Sequence, residues 1–312
     1  MQLHEMWRKA YNENRFLRHL SEYELQQRVR DVVLNMITLT PQAKIGLGSP
    51  EDPEAQRFML KWTQVLQEMQ LRYGPFPNGF TSGFIREQPL PDLVGELGRK
   101  AANVFAALDL DPRNSLVKYG KSEHMAALLC QGNARIQPAS FFKASHLNGA
   151  VRDDELSLAL SIVVTRDDLV ALVKNPHDVP KNSGDQVMHA NHTAEGDYWL
   201  YCVTQSVEPR LFVDFEAQAC VIIRNKKAFA ERLRQAADSQ TPSAEHSCGD
   251  AIYVDPHQPE NAHISVPFAK HFRYTYQREY RFAWIPRVPT QALSPIDLTM
   301  GALDDIATLV EL

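Results

Sequence analysis

Residues 116–136 read LVKYGKSEHMAALLCQGNARI, and this stretch decides the fold. Residues 116–119 form a short β-branched and aromatic run, and residues 123–131 have helical spacing. Gly132 stands where a left-handed helix cap belongs, and residues 134–137 resume a strand. Strand, helix and strand in so short a span is the rhythm of a sheet with helices on it, not of a helical bundle. Toward the C terminus the same rhythm predicts strands at 198–204, 219–224, 251–254, 264–267 and 280–285. It predicts helices at 166–174, 226–237 and 300–311. Residues 175–196 and 238–249 are rich in turn formers without a period and read as loops.

Toward the N terminus the period changes to that of helices. Ser21 with Glu24 makes a capping box ahead of Leu25, Val29, Val32, Val33 and Met36. A second helix over 54–72 carries Phe58, Trp62, Val65, Leu66 and Met69 on one stripe, and a third is expected over 93–108. The segment GPFPNGFTSGF, residues 74–84, separates the last two. The expected fold class is therefore α+β. A helical region, residues 1–110, precedes a mixed or antiparallel, sandwich-like core with flanking helices, residues 111–312. Isolated helices of this length are marginal in water. The apolar stripes of the first region are therefore expected to pack on the second, to self-associate, or to bind a protein partner.

The chain of 312 residues is 44% apolar and 23% charged, an ordinary globular composition. Its net charge of −5 lies wholly after residue 110 and argues against a surface built to coat nucleic acid or membrane. No apolar run reaches the roughly 18 residues of a membrane span, and the first residues lack the apolar core of a signal peptide. Cys130, Cys202, Cys220 and Cys248 form no C-x-x-C. Reduced thiols and a cytoplasmic location are expected. Phosphate-loop, dinucleotide-loop and nucleophile-elbow motifs are absent.

The sharpest chemical signal is TYQREYRF, residues 275–282. Glu279 is the one acid between Lys270 and Arg287, among Lys270, Arg273, Arg278, Arg281 and Arg287. Two residues apart at the entrance to a strand, Gln277 and Glu279 are expected to share a face. An amide and a carboxylate there suit a reaction through an oxocarbenium ion, since fixed charge facing a developing charge is a large catalytic term. The plainer reading is a surface salt bridge from Glu279 to Arg281 or Arg278. Tyr119 ends the first strand and offers a ring for a planar ligand, or for its own helix. Thr204, at the end of YWLYCVT, offers a hydroxyl beside such a carboxylate. Asp153-Asp154-Glu155 reads as a solvated loop or helix start rather than a metal site, and the scattered histidines show no ligand spacing.

In order and spacing these motifs resemble the ADP-ribosyltransferase superfamily over about residues 113–312. The resemblance rests on Lys118-Tyr119-Gly120, Cys202-Val203-Thr204, Gln277-Arg278-Glu279 and a closing Gly301-Ala302-Leu303-Asp304-Asp305-Ile306, taken as a helix. It is nearest to a bacterial branch found beside phage-defence and toxin genes. It implies an ADP-ribosyltransferase-type core, NAD as substrate, no metal, and a protein or nucleic-acid acceptor. Glu279 then holds the ribose and stabilises the cation, Thr204 orients Glu279, and Gln277 steers the acceptor. Tyr119 or Lys118 meets the nicotinamide, and Lys118, Arg273 or Arg278 neutralises the diphosphate. Gln277 replaces the first glutamate of the motif, as in transferases that do not modify arginine, and Cys202 stands where a hydroxyl is usual. Glu279→Gln is expected to leave stability nearly unchanged, the site being a cleft. Two other readings are a catalytically silent sensor or interaction module of the same fold and a metal-dependent nuclease using Glu279, Asp214 and Asp255.

Overall fold

The computed structural model describes residues 2–75, 91–105, 108, 111, 113–173, 179–180, 184–259 and 264–312. The N-terminal part comprises α1 (Leu3–Glu13), α2 (Glu22–Met36), the hairpin β1 (Ile37–Leu39) and β2 (Ile45–Leu47), α3 (Pro53–Tyr73) and α4 (Glu96–Phe105). Ser21 caps α2 with Glu24 in a reciprocal box, as the sequence predicts. The segment 76–90, which holds most of the expected break, lies outside the described residues.

The remainder runs β3 (Leu116–Gly120), α5 (Ser122–Gln131), β4 (Asn133–Pro138), β5 (Ser157–Val164), α6 (Arg166–Leu172), β6 (Gln186–Thr193), β7 (Trp199–Thr204), α7 (Arg210–Asp214) and β8 (Ala219–Ile223). It continues with α8 (Lys226–Asp238), β9 (Ala244–Asp250), β10 (Ile252–Val254), β11 (Ala269–His271), β12 (Glu279–Pro286), β13 (Ile296–Thr299) and β14 (Ala307–Glu311). The chain is thus α+β around an antiparallel sheet. Eight strands make that sheet, with β13-β4-β7-β3-β8-β14 in one path and β12 and β9 branching from β7.

The branch at β7 shapes the molecule. β7 pairs along its whole length with β12, from Glu279 opposite Thr204 to Trp284 opposite Trp199. The other edge of β7 is shared. β4 pairs at Leu200 and Trp199, and β3 pairs at Thr204. Between those contacts β4 and β3 diverge, and the carbonyl of Cys202 accepts a hydrogen bond from Lys118 Nζ at 2.7 Å instead of from a ladder. Strands β3 and β8 are covered on both faces. Met125, Leu128, Phe229 and Leu233 of α5 and α8 meet Leu116, Val221 and Ile223. Ala101, Phe105, Leu211 and Phe212 of α4 and α7 meet Val117, Tyr119, Cys220 and Ile222. Gly132 closes α5 at φ 68°, and a Cβ there would lie 2.1 Å from the Gly301 carbonyl, so that backbone crossing requires glycine.

Three expectations are corrected. The segment expected as a helix over 300–311 is a turn followed by the strand β14, paired with β8 from Ala307 opposite Ile223 to Glu311 opposite Ala219. Met300 and Leu303 donate their N–H groups to Gly132 and Leu129, which pins the segment to the end of α5 and leaves no room for a helical turn. The expected loops contain strands, β6 within 175–196 and β9 at 244–250. Both are edge strands with largely exposed side chains, so neither carries an apolar alternation. At 264–267 the structure places a 3₁₀ turn, Val266–Phe268, and the strand follows it as β11. β5, unassigned in the sequence, pairs with β6.

The N-terminal stripes are buried within the chain. Leu25, Val29, Val65 and Met69 join Tyr11, Phe16, Leu17 and Leu20, while Val32 and Phe58 pack on Phe272. Asn35 holds the turn before β12, donating to the Arg273 carbonyl and accepting from the Tyr276 N–H. Arg28 makes a two-point pair with Asp255 at 3.0 and 2.7 Å, and Lys61 reaches the same carboxylate at 2.6 Å. Burial alone would raise the Asp255 pKa, but the two cations outweigh it and hold the carboxyl far below the usual range. Removing one partner of such a pair strands a buried charge and costs about 3–5 kcal/mol. Asp255→Asn should therefore destabilise the fold by an amount of that order, read as a lowered urea midpoint. Because the folded pKa is depressed, the contribution of Asp255 is full above its unfolded pKa of about 3.9 and is lost as pH falls below it. The variant's stability should accordingly respond less to acid than that of the wild type.

Candidate functional site

The divergence at β7 leaves a cavity of about 210 Å³ among β3, β7, the loop 150–155 and the start of β12. Five residues singled out in the sequence line it: Lys118, Tyr119, Thr204, Gln277 and Glu279. Apolar walls come from Val117, Phe142, Val151, Val203 and Phe215. Two expected residues lie elsewhere. Arg278 points to the N-terminus of α3, 3.2 Å from Glu54 and 3.9 Å from Asp52. Arg273 lies 3.6 Å from Asp153 and lines a neighbouring cavity of about 530 Å³ with Arg30 and Arg152. The two cavities share Ala150.

Gln277 and Glu279 face one cavity for a reason other than strand alternation. Gln277 ends a 3₁₀ turn, Phe272–Gln277, and Arg278 takes a left-handed conformation at φ 44° that swings the chain into β12. The turn at Arg278, uncommon for a residue with a Cβ, does what a regular strand was expected to do. Within β12 alternation does apply, and Glu279 and Arg281 share a face, with Arg281 Nε 2.9 Å from Glu279 Oε2.

Glu279 belongs to a buried network of four charges. Lys270 Nζ lies 2.5 Å from its Oε1 and 3.4 Å from Glu155. Arg281 forks onto Glu155 at 2.8 and 3.0 Å and also donates to the carbonyls of Pro267 and Ala269. Lys270 and Arg281 are 4% and 0% exposed. Burial would raise the Glu279 pKa, yet the charges of Lys270 and Arg281 and their hydrogen bonds pull it down to about 2. The same carboxylates raise Lys270 and Arg281 against the burial that would lower them. The plain salt bridge from Glu279 to Arg281 therefore exists, but in a buried strand paired on both edges.

Glu155 is a charged residue of the candidate site that sequence reasoning did not place there. Asp153-Asp154-Glu155 is not uniformly a solvated segment. Asp153 faces Arg273, Asp154 pairs with Lys143 and accepts from Ser157, and Glu155, 4% exposed, enters the network. The available signal was charge complementarity between this acidic triplet and the basic run around Glu279.

The other side chains are equally constrained. Tyr119 is held edge-on to Phe212 at 5.0 Å, and its hydroxyl donates to the Glu208 carbonyl while accepting from the Glu208 N–H. It is a fixed wall rather than a mobile clamp. Thr204 is directly opposite Glu279 in the ladder, but its hydroxyl is bonded to the backbone of Ser206. Lys118 is half-buried, makes no ion pair with a carboxylate among the described residues, and lies 4.5 Å over the Tyr201 ring. Burial lowers its pKa, opposed by the neighbouring Cys202 and Glu279. The Cys202 thiol is pushed up to about 12 by burial, so it stays protonated near neutral pH. Asp214 pairs with Arg210 and Asp255 with Arg28, and each lines a cavity other than that of Glu279. No group of three or more His, Cys, Asp or Glu placed to hold a metal ion occurs among the described residues. None of the described helices is long and apolar enough to cross a membrane.

Compared with known proteins, the chain matches no family model, no curated protein and no solved structure.

The network overturns the expectation that Glu279→Gln would leave stability untouched. The substitution leaves Lys270 and Arg281 sharing Glu155 alone, and should destabilise the fold by about 3–5 kcal/mol. Arg281→Met, which strands both carboxylates beside Lys270, should cost at least as much, read as a lowered urea midpoint. With its folded pKa near 2, Glu279 contributes fully above its unfolded pKa of about 4.3, and that contribution is lost as pH falls toward 2.

Proposed function

We propose that the chain is an NAD-dependent ADP-ribosyltransferase whose nicotinamide site is the cavity at the β7 branch. The observation that carries the reading is the convergence of Tyr119, Lys118, Thr204, Gln277 and Glu279, drawn from three separate stretches of sequence, on that one cavity. The carboxylate is ionised and held from two sides, so it needs no reorganisation when positive charge develops on the ribose. In the step, the bond between the ribose C1′ and the pyridinium nitrogen breaks, and its electron pair leaves with nicotinamide. C1′ then bonds to the acceptor nucleophile, whose proton passes to solvent.

Size supports a division of the ligand between cavities. About 150 Å³ suffices for a benzene ring, so 210 Å³ takes one substituted ring and not a dinucleotide. The adjoining cavity is lined by Arg30, Arg152 and Arg273 together with Asp31 and Asp214, and its three guanidinium groups are the cations nearest at hand for the diphosphate. Lys118, beside the ring, disfavours the positive pyridinium of intact NAD more than the neutral nicotinamide that leaves. The acceptor is a protein side chain or a nucleic acid, and the biological setting in keeping with the resemblance is a cytoplasmic defence or toxin enzyme.

A second reading, a catalytically silent binding module of the same fold, is favoured by one observation. Both oxygens of Glu279 already face cations, which cancel much of its field. Incubation of the full chain with labelled NAD and a lysate separates the two. The transferase reading predicts release of nicotinamide and label in the protein or nucleic-acid fraction. Glu279→Gln, assayed below its melting transition, should release nicotinamide about 10²–10³-fold more slowly. A wild-type chain that neither binds nor cleaves NAD leaves the silent module.

A further inference from the structure

Gln277 is 1% exposed, lines the cavity, and has one amide atom without a partner. Its Nε2 donates to the Ala150 carbonyl at 2.8 Å. A carbonyl accepts and never donates, so this bond fixes which way round the amide sits. The atom left over is Oε1, an acceptor buried without a hydrogen bond. Such an atom carries a desolvation penalty that a bound donor relieves. The Ala150 end is itself anchored, since the adjoining Val151 and Arg152 N–H groups both bond back to Asn148.

Among the other polar groups at the wall, Glu155, Glu279 and Lys270 pair within the buried charge network and Thr204 bonds to the Ser206 backbone, whereas Lys118 has the character opposite to that of Gln277 Oε1. Lys118 Nζ has three N–H donors, with one directed to the Cys202 carbonyl, and meets no carboxylate at ion-pair distance among the described residues. The walls between are apolar, from Val117, Phe142, Val203 and Phe215. A cavity of about 210 Å³ with partly apolar walls, a buried unpaired acceptor and a half-buried donor, its remaining charges paired with one another, suits a small molecule that offers both a donor and an acceptor. That molecule is flat, of single-ring size, and carries a carbonyl acceptor next to an N–H donor.

We propose that Gln277 is the specificity-determining residue of this cavity, its Oε1 accepting from the N–H of an aromatic carboxamide while Lys118 donates to the adjacent carbonyl. The proposal rests on the nicotinamide-site reading above and deepens it. Gln277 then reads the leaving group of NAD, a different task from steering the acceptor. Esters, ketones and acids of the same ring lack the donor and leave Oε1 unpaired.

The test is a calorimetric titration of the full-length wild-type chain with nicotinamide and with 3-acetylpyridine, which differ by NH₂ against CH₃. An unpaired buried acceptor costs about 1–3 kcal/mol, so the expected preference for nicotinamide is about 10- to 100-fold in Kd. Gln277→Leu should bring the two ligands within about twofold of each other, with Gln277→Met as the reserve variant should the first not fold. Equal affinity of the wild type for both rings, no binding of either ring, or a preference retained in the folded variant overturns the proposal. NAD turnover measured on the same wild-type sample keeps the two claims apart. Selective ring binding without turnover sustains the inference and ends the transferase reading. Turnover without ring selectivity does the reverse.

Discussion

Two carboxylates and two cations, Glu155, Glu279, Lys270 and Arg281, share one buried volume, and the rest of the site depends on their arrangement. Each ion alone would be expensive to remove from water, and together the opposite charges offset that cost. The network ties the loop after Phe142, the β10–β11 region and the head of β12 into one unit. Tyr253 adds to it by accepting from the backbone N–H of Glu279. A carboxylate fixed this way stays ionised near neutrality and cannot swing aside, which is what an electrostatic catalyst requires. The same pairing lowers its net field, so chemistry at this site turns on how much charge remains unscreened at the position a ligand occupies.

The N-terminal helices contribute to that geometry at second hand. Asn35 of α2 fixes the turn that ends at Gln277, and Arg28 and Lys61 hold Asp255 beyond β10. Arg210 of α7 donates to the carbonyls of Leu34 and Ile37 at the end of α2, at 2.5 and 2.9 Å. These buried polar ties lie on both sides of the motif 277–279. Their loss would shift the turn at Arg278, on which the joint aim of Gln277 and Glu279 depends.

The sequence was legible where a period is enforced by burial. α2, α3, α5 and α8 keep apolar stripes, and β3, β7, β8 and β12 bury side chains within the sheet. It was not legible at QVMHANHT and AEHSCGD, because edge strands with exposed faces gain their order from backbone pairing alone. Residues 307–311 read as helix because ATLVE is short and ambiguous, and pairing with β8 overrode local propensity. At the site, Gln277, Glu279, Thr204, Tyr119 and Lys118 could be chosen because motif order is written along the chain. Glu155 could not be placed, since its partners stand at 270 and 281 and ion pairing leaves no spacing rule across such a separation. Arg273 and Arg278 were chosen for charge, but the turn sends them to opposite sides of Gln277, toward Asp153 and toward α3.

On the proposed reading, the cavity at the β7 branch, with its ionised Glu279, holds NAD by its nicotinamide end. A crystal structure of the full chain grown with NAD tests it most directly. Ring density is expected in the cavity between Tyr119 and Glu279, with its carboxamide toward Gln277 and the diphosphate toward Arg273. NAD bound elsewhere on the chain, or an unliganded cavity at saturating NAD, would contradict it.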